Sequence, residues 1–151
     1  MNTSQRQKSR PAASTGGDRA QRVRDYFAAW QSGDRDVVEE ALADDFTFTS
    51  PYDDHIDRAA YFERCWPSHE RIKAFELEVM ADGGEAFVVY ALTPKSGVRF
   101  RNVERHTFAG DKLKSVEVFF GDPPAEVPKE RFLALLDAAV RAWKDGALDV
   151  K

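Results

Sequence analysis

Cys65 is the only cysteine among 151 residues, which excludes a fold stapled by internal disulfides. No apolar run approaches the roughly 20 residues needed to cross a bilayer, so no membrane partner is expected. The start lacks the apolar stretch and small-residue cleavage site of a secretory signal, and the expected location is the cytoplasm. Neither a phosphate-cradling glycine-rich loop nor a dinucleotide fingerprint is present, so no cofactor is expected. An excess of positive charge is missing as well. The formal net charge is -4, and because residues 1–24 hold six basic groups against Asp18, the remainder sums to -9. A body that acidic argues against nucleic acid as the main partner.

What is present suffices for one domain with one core: 42% of residues are hydrophobic and 12% aromatic. Residues 1–18 are rich in Ser, Thr, Gln, Gly and Arg without periodicity and read as a disordered basic leader. A helix is expected over residues 18–31, where Val23, Phe27 and Trp30 fall on one stripe with Tyr26 beside it. Ser32-Gly33 ends it, and Asp34 caps a second helix carrying Val37, Val38, Ala41 and Leu42. Phe46, Phe48 and Ser50 alternate with threonines in a short strand stopped by Pro51. The polar segment Tyr52-Asp53-Asp54-His55 then reads as a loop, open to function or to a solvated turn, before a helix capped by Asp57 and halted at Pro67. Its two carboxylates and histidine lack a second ligand cluster at a recognisable spacing, so no metal is assigned. Cys65, in the aromatic run of Tyr61, Phe62 and Trp66, reads as a buried small hydrophobe.

Four strands joined by tight turns follow, over about 72–81, 86–93, 98–108 and 113–120, an antiparallel meander. Residues 86–92 are apolar on both faces and call for cover on both sides. Past the prolines at 123, 124 and 128, Phe132, Leu135, Leu136, Ala139, Val140 and Trp143 recur at helical spacing, an amphipathic helix ending near Gly146. The organisation expected is therefore a leader (1–18), a domain (19–121), and a linker with a C-terminal helix (122–151). Helices first and a curved antiparallel sheet closing over them make an α+β cone.

The strand over 98–108 carries the clearest chemical signal. Arg99, Arg101 and Arg105 belong in water, whereas Phe100, Asn102, Glu104, His106 and Phe108 share the other face. Two aromatic ends draw an amide, a carboxylate and an imidazole out of solvent, the pattern of a polar pocket in an apolar shell. A satisfied Glu–His network within the core fits the same pattern.

The stretch YFAAWQSGDRDVVEEALADDFTFTSP (26–51), closed by GDKLKSVEVFFG (110–121), resembles the nuclear transport factor 2-like superfamily, particularly its SnoaL-like and ketosteroid-isomerase-like members. In the isomerases a first-helix Tyr and a protonated acid on a late strand form an oxyanion hole, while an Asp before the proline moves the proton. The resemblance implies that Tyr26 stands at the Tyr position and Glu104 near the strand acid. The base position holds Ser50, which cannot act as a general base near neutrality. Epoxide hydrolases of this fold carry Arg-x-Asp on the late strand, where this chain has Asn102-Val103-Glu104. No cyclase motif matches residue by residue.

The combined expectation is a cone whose cavity, lined by Tyr26, Trp30, Phe48, Phe100, Asn102, Glu104, His106, Val116 and Val118, binds a small, largely apolar molecule bearing an oxygen function. Ser50 and His55 are further ligand-binding candidates. If there is chemistry, of isomerase, cyclase or dehydratase type, His106 serves as base and Glu104 or Tyr26 donates to a developing oxyanion. The competing reading is a non-catalytic ligand-binding or protein-interaction domain, favoured by Ser50. Homodimerisation is expected to cover the apolar surface.

Overall fold

The computed structural model describes residues 16–122 and 128–146. Most of the expected leader lies outside them, and Gly16 to Asp18 form the first turn of helix α1 (Gly16–Ser32). This helix buries Val23, Tyr26, Phe27 and Trp30, the stripe that its periodicity prescribes. The chain reverses at Gly33, whose φ of 77° needs the left-handed freedom of glycine. Asp34 then caps α2 (Arg35–Ala41), its Oδ1 accepting from Val37 N at 3.3 Å.

Leu42, expected at the end of α2, instead begins β1 (Leu42–Ser50). The segment read as a loop is a correction: Asp53–Asp57 forms β2, antiparallel to β1 with Phe48 opposite Ile56. Its polar residues lie on an irregular edge strand, which looks like a turn to any reading based on composition. Asp57 caps α3 (Arg58–Arg64), accepting from Ala60 N at 2.8 Å. The chain continues past Pro67 as a 3-10 helix, Trp66–Arg71, because proline at its first turn lacks only a hydrogen that would be unused there.

The meander stands as expected: β3 (Ile72–Asp82), β4 (Glu85–Pro94), β5 (Phe100–Ala109) and β6 (Lys112–Phe120). The sheet order is β2-β1-β6-β5-β4-β3, and it is a curved, unclosed, mixed sheet rather than a purely antiparallel one. The mixture has one source, β1 running parallel to β6 with Phe48 opposite Val116. Helix α1 packs on β3 and β4, and α3 on β1, so the core and its aromatic side chains lie between helices and concave sheet face. Gly121 closes β6 against β5: a Cβ there would stand 2.6 Å from the Arg101 carbonyl, which accepts from Gly121 N at 3.0 Å.

Cover on both sides of β4 is absent among the described residues. Its inner face, Ala86, Val88 and Tyr90, is buried, whereas Phe87 and Val89 on the outer face remain about two-fifths exposed, with Phe119 half exposed nearby. Helix α4 (Lys129–Lys144) forms as expected and exposes Leu133, Leu135, Leu136 and Val140. Residues 123–127, within the expected linker, lie outside the described residues.

Candidate active site

The alternation along β5 places its two faces as the periodicity requires: Asn102, Glu104 and His106 are buried, and Arg101 is exposed, as is Arg99 just ahead of the strand. Between that inner face and the helices lies a cavity of about 700 Å³. Tyr26, Trp30, Phe48, Ser50, Phe100, Asn102, Glu104 and Val118 line it. His106 and Val116, paired across β5 and β6, are fully buried and do not reach its wall. His55 stands outside it, with φ of 47° and a side chain 74% exposed, and its Nδ1 lies 2.5 Å from Asp54 Oδ1.

Glu104 and His106 form the buried pair at the back of this cavity. The Glu104 side chain is 10% exposed and opens onto the cavity, while the imidazole behind it is 0% exposed. His106 Nε2 lies 2.8 Å from Glu104 Oε2. The ring stacks on Phe27, 6.1 Å between centroids, and meets Tyr26 edge-on at 5.6 Å. Its Nδ1 has no hydrogen-bond partner among the described residues. A proton on Nδ1 would thus be a buried donor without acceptor, costing about 1–3 kcal/mol. The network accordingly assigns the Nε2–H tautomer, with Nε2 donating to a Glu104 carboxylate.

Three phenols surround that carboxylate. The Tyr26 and Tyr61 hydroxyls are hydrogen-bonded to each other. Burial pushes the Tyr26 hydroxyl well above the usual phenol range, and the Glu104 charge pushes it further the same way. Burial likewise raises Tyr61, with Tyr26 as the next contribution. Tyr90 is raised by burial first and then by Glu104. Asn102 Nδ2 donates to Tyr90 Oη at 3.0 Å, so the Tyr90 proton is left for another acceptor. All three therefore keep their protons at neutral pH as hydrogen-bond donors in a region of low dielectric. The indole N–H of Trp30 lies beside the Tyr26 hydroxyl without meeting hydrogen-bond geometry.

A second polar group stands nearer the mouth. Asp53, from β2, accepts from Arg64 Nη1 at 2.8 Å and from Ser50 Oγ at 3.4 Å, and Ser50 Oγ in turn accepts from Tyr52 N at 3.1 Å. Burial, with Asp53 second, pushes the Cys65 thiol up to about 12, so the protonated thiol prevails at neutral pH and nucleophilic chemistry is disfavoured. Among the described residues no cluster of three or more His, Cys, Asp or Glu could hold a metal ion.

Sequence reasoning missed Tyr61 and Tyr90. Both sit in apolar runs, where a tyrosine reads as core. The available signal was register: in the β4–β5 hairpin Tyr90 lies opposite Asn102, and a polar partner there marks an inward hydroxyl. Of the segment 52–55, Tyr52 and Asp53 reach the cavity.

Solved structures share this architecture at low identity. A nuclear transport factor 2-like protein of unknown function from Burkholderia xenovorans LB400 is 20% identical, with 78% of this chain and 92% of that one covered at a TM-score of 0.60. A candidate ketosteroid isomerase from Kribbella flavida DSM 17836 is 19% identical, covering 78% and 88% at 0.60. AclR, a candidate hydroxylase from Streptomyces galilaeus, is 16% identical, covering 89% and 100% at 0.57. At these identities the likeness shows the fold alone. No curated protein matches the sequence significantly. Residues 23–116, however, match the SnoaL-like domain, the span that includes α1 from Val23 onward, the whole of β5 and the Glu104–His106 pair, and the chain belongs to the SnoaL-like domain family.

Proposed function

We propose that this protein binds a small, largely apolar molecule bearing a carbonyl or hydroxyl oxygen and moves a proton on it, acting as a cytoplasmic homodimer. The observation that carries the reading is a buried carboxylate, Glu104, opening onto an aromatic cavity and held from behind by His106. Apolar walls with a few convergent polar groups suit such a ligand.

The roles proposed differ from those expected from sequence. His106 Nε2 is occupied and the ring is sealed from the cavity, so it orients Glu104 instead of meeting substrate. Glu104 takes the proton. For a bound ketone, the C–H bond next to the carbonyl breaks, the proton passes to a Glu104 oxygen, and the electron pair forms the enolate double bond. Charge then gathers on the substrate oxygen, where Tyr26 or Tyr90, protonated and buried, supplies the hydrogen bond. Return of the proton to another carbon completes an isomerisation; alternatively, the Glu104 proton passes to a neighbouring hydroxyl, which departs as water while the enolate electrons form the new C=C bond, completing a dehydration.

The experiment is deuterium uptake at the carbon next to the carbonyl of 2-tetralone, followed by proton NMR in D2O. The wild type is expected to accelerate exchange and Glu104→Gln to lose roughly 10²-fold or more of it. Equal rates for the two proteins would overturn the assignment of Glu104. Ser50 at the position of the family's base favours a second reading, a binding domain without catalysis, and binding of the ketone with no exchange above buffer would support it.

A further inference from the structure

We infer that the ligand of this cavity carries an anionic group, a carboxylate or sulfonate, seated on Arg71 at the rim. The inference rests on the cavity being a ligand site and adds the charge class of what it takes.

The charges facing the cavity are Asp53, Arg64, Arg71, Glu104 and Asp122. Four of the five are already engaged. Asp53 and Arg64 hold each other at 2.8 Å. Asp122 accepts from Arg101 N at 2.7 Å and lies 3.8 Å from Arg101 Nε. Glu104 is bonded to His106. Arg71, the last residue of the 3-10 helix, has no ion pair or side-chain hydrogen bond among the described residues, although its backbone carbonyl accepts from Lys95 N at 2.8 Å. That bond joins it to the loop after β4, so Ser96 and Gly97, which also line the cavity, stand beside it. An unspent guanidinium facing an apolar cavity is a site for a bidentate anion.

The two polar stations are well separated. Glu104 pairs with Val88 and Ile72, next to Arg71, pairs with Pro94, six positions along β4, or about 20 Å of strand. Glu104 is buried and Arg71 is exposed, so the polar oxygen end lies deep and the anion lies at the mouth. After the reach of both side chains, the gap suits an apolar body of two or three rings or a medium-length chain.

Two fluorescent dyes of one skeleton test this: 1-anilinonaphthalene-8-sulfonate, which is anionic, and N-phenyl-1-naphthylamine, which is neutral. Wild type is expected to bind the sulfonate about tenfold more tightly at low salt, with the preference shrinking as salt is added. Arg71→Gln should erase the preference while leaving the neutral dye unchanged, and Arg71→Lys should restore part of it. A preference that survives Arg71→Gln, or equal binding of both dyes by the wild type, overturns the anion inference and leaves the cavity reading standing. Ser50→Trp, folded by circular dichroism, is expected to plug the mouth and weaken both dyes. If neither dye binds the wild type, or both bind Ser50→Trp unchanged, the cavity reading itself falls.

Discussion

The two faces of β5 carry the same kinds of residue under opposite conditions. Outside, Arg105 pairs with Glu85, and Arg99, just ahead of the strand, pairs with Glu76, with every member of these pairs at least two-fifths exposed. Inside, Glu104 pairs with a histidine that water does not touch. Outer pairs trade ionic contact for hydration at little net gain. The inner pair has lost that alternative, so its geometry is held, and its charge bears on three phenols. Position on a pleat, not residue type, decides which carboxylate can do chemistry.

The largest break in that contrast should come from His106→Ala. It strands a buried carboxylate and leaves a void beside Phe27, so urea unfolding should show a loss of about 3–5 kcal/mol. Arg105→Ala, one residue away on the other face, should leave the unfolding midpoint within error. Glu104→Gln comes next and sharpens the difference from stability to chemistry. It should keep the fold and lower turnover of a ketone roughly 10²-fold, whereas Glu85→Gln should not change turnover. Gly121→Ala tests how closely β5 and β6 approach, because the new methyl meets a backbone carbonyl that cannot swing aside. A loss of about 1–3 kcal/mol in thermal or urea unfolding is expected. Tyr26→Phe is the mildest on the inner face. Tyr90 remains as a donor, so a fall in turnover of about tenfold, with little change in KM, is the outcome for a group that acts on developing charge.

Much of this contrast was legible in the sequence, and the parts that were not share a cause. Alternation from Phe100 to His106 fixes which side each residue takes, and the caps at Asp34 and Asp57 mark helix starts with side-chain chemistry that is local. Depth is not local. Whether His106 lines a cavity or lies behind its wall depends on Phe27 and Tyr26, some 80 residues earlier, closing over it. The parallel pairing of β1 with β6 joins Phe48 to Val116 across most of the domain, and no local signal announces it. Strand β2 escaped because Asp53, Asp54 and His55 are polar residues of the kind found in turns, and only the ladder to β1 makes them a strand. The outer face of β4 and the apolar side chains of α4 remain uncovered among the described residues. That exposure keeps the homodimer a proposal for light scattering, with a monomeric mass at micromolar concentration against it.

The most direct test of Glu104 as the proton-accepting group is a crystal structure of the full chain with 2-tetralone bound. The account predicts the ketone inside the cavity, its oxygen within hydrogen-bond distance of the Tyr26 or Tyr90 hydroxyl and the adjacent carbon against a Glu104 oxygen. A ketone bound in the cavity with its oxygen at Asp53 and Arg64 and its ring carbons remote from Glu104 would contradict it.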